Sequence, residues 1–340
     1  MLVSLQALRA IAAWMVVMHH VMQIFFDFKA SSTAGQLFVD KGAVGVDIFF
    51  VISGLVIYLS TQGKDMPVGR FLFNRAARIV PAYWLYSLAM ALIILFAQPL
   101  VPGQTFDWTH FLRSLLFIPA ENPAGYGLYP TLGVGWTLNY EMLFYLLFAL
   151  VFLVPERFRL LLVAAALVAV CEGLTRSGVL SGFYHNQIVY EFLLGLGIGM
   201  LYRRGWIGQG LWLPLLILGA ALLALYHLDS SQRLLHWGLP SALIVVACVA
   251  LEPYLQRSRV LKALGNWSYS VYLLHVLVLS LGWYLCRRFQ LNSYLTVALC
   301  VPLILAGSWL SYVWLERSLY QRLQGWWDAR GDAPAVANIS

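Results

Sequence analysis

Apolar residues fill this chain in long runs, separated by short polar interruptions. A bilayer core needs about 17–25 apolar residues per helix. Ten segments approach that length: 5–26, 43–61, 79–98, 136–154, 159–173, 186–202, 211–227, 237–252, 267–286 and 293–315. The pattern predicts an all-α, polytopic membrane bundle of about ten transmembrane helices. The longest interruption, 99–135, is punctuated by Pro99, Pro102, Pro119, Pro123 and Pro130. Within it Trp108, Phe111, Leu112, Leu115 and Leu116 recur at helical spacing behind Asp107. That predicts a short amphipathic helix with an aspartate N-cap, lying on the outer interface or packed on the bundle. Residues 1–327 read as a single integral-membrane domain. The polar stretch 328–340 is expected to be a disordered cytoplasmic tail.

Composition agrees with a membrane protein. Of 340 residues, 61% are hydrophobic and 11% charged, whereas a soluble domain is about one-quarter charged. The mean hydropathy is +0.75, and 13 Trp and 18 Tyr suit interfacial belts. The first segment does not read as a signal peptide, since no basic region precedes it and no small-x-small pattern follows Phe26. Cys171, Cys248, Cys286 and Cys300 lie in or beside apolar segments without C-x-x-C spacing, which argues against a disulfide scaffold or a metal site. The net charge of +7 includes no basic run long enough for nucleic acid. With the N-terminus inside and ten spans, fourteen of the 22 Lys and Arg, Lys64 among them, fall in inner loops and seven in outer loops. This bias predicts cytoplasmic N- and C-termini, with Arg287 and Arg288 running against it locally.

Ionisable residues inside apolar segments mark function more often than not. Arg9 and His20 are eleven residues apart in the first segment. At 100° per residue they share one helical face within about 20°, about 16 Å apart along the axis, while His19 points about 100° away. Asp47 stands near the outer end of the second segment, where Gly45, Ser53 and Gly54 permit close helix approach. Arg75 and Arg78, in the inner loop "GRFLFNRAARIVPAYW", are neighbours on a helical turn at the cytoplasmic surface and suit phosphate binding; Arg70 is a third candidate. Glu141 lies in the fourth segment at a depth similar to Asp47 and His20. His275 lies in the ninth among Ser268, Tyr269 and Tyr272, and Glu316 sits at the inner end of the last, beside cytoplasmic arginines. Each also has a plainer reading, as a snorkelling arginine, a topogenic charge, a packing anchor or a satisfied core histidine.

Together these motifs resemble the integral-membrane acyltransferase-3 family, and most of all its short bacterial exopolysaccharide acetyltransferases. The resemblance is carried by Arg9-x10-His20, "GVDIFFVISG" at 45–54, Arg75-x-x-Arg78, "WTLNYEMLFY" at 136–145, "SYSVYLLH" at 268–275 and Glu316. It implies an enzyme of the bacterial inner membrane that moves an acyl group, acetyl as the expectation, from cytoplasmic acyl-CoA to hydroxyls of extracytoplasmic or lipid-linked glycans. It further implies a catalytic His20 supported by Asp47 and Glu141. Arg9, Arg75 and Arg78 would serve the donor, and Tyr272 and His275 are counted with them. Some members carry a fused extracytoplasmic hydrolase-like domain. Residues 1–340 contain none, so direct transfer or a separate partner is expected.

The residues themselves allow a compatible chemistry. Phosphates of the donor stay at the inner surface near Arg75 and Arg78, and the pantetheine arm follows the Arg9–His20 face. A neutral His20 takes the proton of an acceptor hydroxyl, with Asp47 or Glu141 orienting the ring. An acyl-histidine relay is the alternative. Two other classes compete, a proton-coupled transporter and a non-catalytic component of polysaccharide assembly. The first would be favoured by inverted repeats, and none is evident. A zinc site from His20, His275, Asp47 and Glu141 has no local ligand spacing behind it. Neither a metal nor a tightly bound cofactor is expected.

Overall fold

The computed structural model describes residues 2–63 and 66–331. Lys64 and residues 332–340 of the expected tail lie outside the described residues. The chain forms fourteen α-helices among the described residues: α1 (Val3–Phe26), α2 (Thr33–Lys41), α3 (Val44–Thr61), α4 (Val68–Phe96), α5 (Trp108–Leu115), α6 (Trp136–Leu150), α7 (Glu156–Val168), α8 (Glu191–Arg203), α9 (Trp212–His227), α10 (Leu239–Ala250), α11 (Glu252–Leu255), α12 (Arg259–Arg288), α13 (Ser293–Ser311) and α14 (Tyr320–Gly331). There is no strand among them. Each of the ten apolar segments falls on helix, and six helical stretches are long and apolar enough to cross a bilayer by length and composition. Those containing α9 and α10 are shorter. The fold is an all-α integral membrane bundle.

Two boundaries differ from the pattern. The third apolar segment was expected to begin at 79, yet α4 begins at Val68 and runs for 29 residues. That is about 43 Å of helix. Arg75 and Arg78 are therefore two to three turns inside a helix and not in a surface loop. At the other end of the chain α14 continues through Gly331, past the expected boundary at 328. Asp328 and Gln324 both accept from Arg70, and Trp327 stacks on Phe73 with ring centroids 4.4 Å apart. Arg70 is thus engaged in docking α14 on the start of α4.

The core is built on helix α1, which lies along α12 as its most extensive partner. The two run parallel. Gln6 donates to Asn266 at 2.9 Å near their starts, and His20 meets His275 deeper in. No side chain of its own neighbourhood caps the first amides of α1. The Glu252 carboxylate does so from a distant part of the chain, accepting from Val3 N–H at 2.9 Å and Ser4 N–H at 2.7 Å. A carboxylate there satisfies two orphan donors and opposes the positive end of the helix dipole.

Helices α3 and α8 cross closely because neither has side chains at the contact. A Cβ on Gly54 would lie 2.1 Å from the Phe192 carbonyl oxygen, and one on Gly195 2.0 Å from that of Val51. Gly195 and Gly199 form a small-xxx-small pair of the kind that brings membrane helices together. Around this crossing Phe192 stacks between Phe50 and Phe144, at 4.6 and 4.3 Å. Helix α5 resolves the choice between interface and bundle. Asp107 caps it by accepting from His110 N–H, and Phe111 and Ser114 are buried. Tyr83 and Trp84 of α4 donate to the Ser114 and Leu115 carbonyls. Trp108, Leu112 and Leu116 remain exposed on its opposite face.

Candidate functional site

One cavity, with empty space of about 860 Å³, lies between α1, α3, α4, α6 and α12. From α3 it takes the face Val46, Phe49, Phe50, Ser53 and Val56, which the helical repeat puts on one side. Val46 to Val56 spans about 15 Å of helix, so the cavity is elongated along the bundle. Arg9, Arg75 and Arg78 all line it, with Glu141, Tyr145, Tyr269 and Tyr272.

Arg75 is held in place before any ligand arrives. Arg75 Nη2 donates to Ser60 Oγ at 2.6 Å, and its guanidinium lies 5.5 and 5.6 Å from the Phe71 and Tyr145 ring centroids. Its Nε is buried without a partner. Arg78 makes no side-chain hydrogen bond or ion pair among the described residues. Glu141 Oε1 accepts from Ser53 Oγ at 2.8 Å and from the Tyr145 hydroxyl, one turn along α6. Glu316 is reached by the positive charges of Arg78 and Arg9, while its Oε1 accepts from Ser270 at 2.6 Å.

Toward the other end Tyr272 donates to the Val134 carbonyl at 2.8 Å and lies 2.9 Å from Thr137 Oγ1. His275 is the next turn of α12, with ring centroids of Tyr272 and His275 6.1 Å apart. His275 Nε2 lies 3.3 Å from His20 Nδ1. His19 faces away from this pair as the helical repeat requires, its Nδ1 3.1 Å from the Phe38 carbonyl of α2.

The structure therefore brings Arg9, Arg75, Arg78, Glu141 and Tyr272 to one cavity, and puts His20 and His275 together just beyond it. It sends Asp47 elsewhere. Both Asp47 oxygens are bonded to Arg233, each at 2.9 Å, and the buried carboxyl of Glu191, at the start of α8, lies near the pair. Asp47 is fully buried there, so an arginine partner replaces the water it has lost. The ring-orienting role considered for Asp47 has no contact behind it. Ser53, Tyr145, Arg233 and Glu191 were not singled out by sequence as members of these clusters. A signal existed for Arg233 only, since a carboxylate at Asp47 demands a cation. No group of three metal-ligating side chains occurs among the described residues.

Comparison with known proteins adds a second line of argument. The Acyl_transf_3 family, described as an acyltransferase domain, matches residues 2–313. The Exopolysaccharide production protein ExoZ of Rhizobium meliloti (strain 1021) is 31% identical over 317 residues, covering 87% of this chain and 94% of its own. The Acyltransferase MdmB of Streptomyces mycarofaciens is 30% identical over 315 residues, covering 82% of this chain and 79% of its own. No solved structure matches. The match runs through every helix that lines the cavity, so the cavity arginines and the His20–His275 pair beyond them belong to the matched region. The chain is a membrane acyltransferase and a member of the Acyl_transf_3 family.

Proposed function

We propose that this enzyme is an O-acetyltransferase, which moves an acetyl group from cytoplasmic acetyl-CoA to a hydroxyl of an extracytoplasmic glycan, free or lipid-linked, such as an exopolysaccharide. The observation that carries this reading is the meeting of Arg9, Arg75 and Arg78 on one elongated cavity. Three guanidinium groups match the phosphates of an acyl-CoA, and Arg78 has donors unengaged by the protein's described residues. The length of the cavity suits the narrow pantetheine arm. The exopolysaccharide-related relative supports a glycan acceptor. The excess of Lys and Arg in alternate loops supports ten spans with the N-terminus and the end of the tail 328–340 cytoplasmic, in the bacterial inner membrane.

The acceptor oxygen attacks the thioester carbonyl carbon while its proton passes to Nε2 of His20. The carbon–sulfur bond breaks, and the CoA thiolate leaves with that proton. Glu141, fixed by Ser53 and Tyr145, offsets part of the positive charge of the arginine end before the donor binds. Acyl-CoA is a substrate here, and no tightly bound cofactor takes part. The test compares O-acetyl content of surface glycans, by mass spectrometry, in cells with and without the gene. It also follows CoA release from acetyl-CoA by purified protein in vesicles. Unchanged glycans together with no CoA release would remove this reading.

A further inference from the structure

We infer that His275 is the positioning residue of His20: it accepts the Nδ1–H of His20, fixes the ring with its Nε2 unprotonated, and stabilises the imidazolium formed during transfer. This rests on the function proposed above.

The assignment follows from two carbonyl groups, which can only accept. His275 is fully buried, and its Nδ1 lies 3.0 Å from the Val271 carbonyl oxygen. Nδ1 therefore carries the proton, and in the neutral ring Nε2 is a bare acceptor. His20 Nδ1 lies 2.9 Å from the Val16 carbonyl oxygen, so it is protonated as well. Its single hydrogen is shared between Val16 O and His275 Nε2, 3.3 Å away. In the opposite tautomer of His20, lone pairs would face each other at both distances. The nitrogen left to take a proton from an acceptor hydroxyl is Nε2 of His20.

A nucleophile-activating or basic histidine is commonly oriented by a third group, often a carboxylate. Both carboxylates considered for that place are engaged elsewhere. Asp47 is on Arg233, and Glu141 accepts from Ser53 and Tyr145. The other titratable groups around the pair are His19, whose ring meets His20 edge-on at 5.7 Å, and Tyr272. Neither is bonded to a nitrogen of His20. When His20 gains its second proton, the Nδ1–H becomes a charge-assisted donor, and its bond to His275 strengthens in the transition state where it contributes to rate.

Side-chain amides separate this role from a packing role. The oxygen of Gln reaches about as far as Nε2, so His275→Gln keeps an acceptor for His20. The amide nitrogen of Asn reaches about as far as Nδ1, so His275→Asn keeps only the bond to Val271. His275→Leu keeps neither. In steady-state assays with acetyl-CoA, Gln should hold kcat within about tenfold of wild type. Asn and Leu should lose about 10²-fold or more, with KM for the donor unchanged. Equal kcat in Leu and wild type, Asn outperforming Gln, or all three failing alike would overturn the assignment. Because a buried substitution can prevent folding, the unmodified protein gives an independent readout. Its ¹⁵N-histidine spectrum should show His20 protonated on Nδ1 alone, with a coupling across the hydrogen bond to His275 Nε2. His20 protonated on Nε2 alone would overturn the proposal. Wild-type protein that transfers no acyl group while showing the bonded pair would instead remove the proposed function.

Discussion

Arg233 closes a two-point ion pair on Asp47, Nε to Oδ1 and Nη2 to Oδ2, each at 2.9 Å, across 186 residues of chain. The carboxylate is fully buried, and the arginine side chain is 22% exposed. Removing one partner of such a pair costs about 3–5 kcal/mol, because the other charge stays buried and unpaired. Arg233→Met should therefore lower the melting temperature in detergent sharply, and the Asp47→Leu/Arg233→Met double variant should lower it by less than the two single losses combined. An Arg233→Met protein that melts with wild type would show that the pair contributes nothing.

The cavity arginines should behave differently. Arg75→Ala/Arg78→Ala should raise KM for acetyl-CoA by tenfold or more, with a stability loss confined to the Arg75 contacts with Ser60, Phe71 and Tyr145. Lysine at both places should recover part of the affinity, because an ammonium keeps the charge and loses the two-pronged geometry. Donor titration of CoA release measures both. An unchanged KM in the double alanine variant would reduce the two residues to charges that set topology.

His20→Ala should cost about 10²–10⁴ in kcat with donor binding retained. His19→Gln loses the bond to the Phe38 carbonyl, worth about 0.5–1.5 kcal/mol of stability, and the ring contacts with His20 and Phe28, and should keep its kcat. Finding the reverse order of activities would mean that His19, not His20, takes the acceptor's proton.

Glycine substitutions probe the crossing of α3 and α8. Gly54→Ala and Gly195→Ala each force a methyl against a backbone carbonyl and should cost about 1–3 kcal/mol or more. Gly197, two residues on, has nothing within 4 Å of its missing Cβ. Gly197→Ala should be neutral or stabilising by up to about 1 kcal/mol. Thermal unfolding of the three variants checks the contrast, and equal melting of all three would contradict the close crossing.

Topology is open to labelling. Thr105 and Arg257 are both exposed, on loops proposed to lie outside and inside. In a background without native cysteines, Thr105→Cys in intact cells should react with an impermeant maleimide and Arg257→Cys should not. The opposite pattern would invert the proposed orientation.

Helix type and most helix positions were legible because apolar runs of bilayer length have few alternatives. The start of α4 was not. "GRFLFNRAAR" contains three arginines, and hydropathy reads it as a loop, since nothing in a single sequence says that Arg75 and Arg78 face a cavity and not lipid. The shared face of Arg9 and His20 was legible for the opposite reason: it is a property of one helix and needs only the 3.6-residue repeat. Where Asp47 found its partner was not, because Arg233 falls between apolar segments and reads in sequence as a topogenic charge. The same limit hid the pairing of His20 with His275. Each residue was visible as a candidate, but only the parallel packing of α1 on α12 makes them neighbours.

That packing has a consequence for biosynthesis. Helix α1 leaves the ribosome well before its partners at three depths, Glu252, Asn266 and His275. At about 5–20 residues per second, the 255 residues between His20 and His275 take between about 13 and 50 s to make. Through that interval α1 must keep Arg9, His19 and His20 in the bilayer without its final neighbour. Insertion machinery or the early helices α3 and α4 have to shelter it. A histidine pair that forms only when α12 joins α1 also means that a nascent fragment lacking α12 cannot hold it.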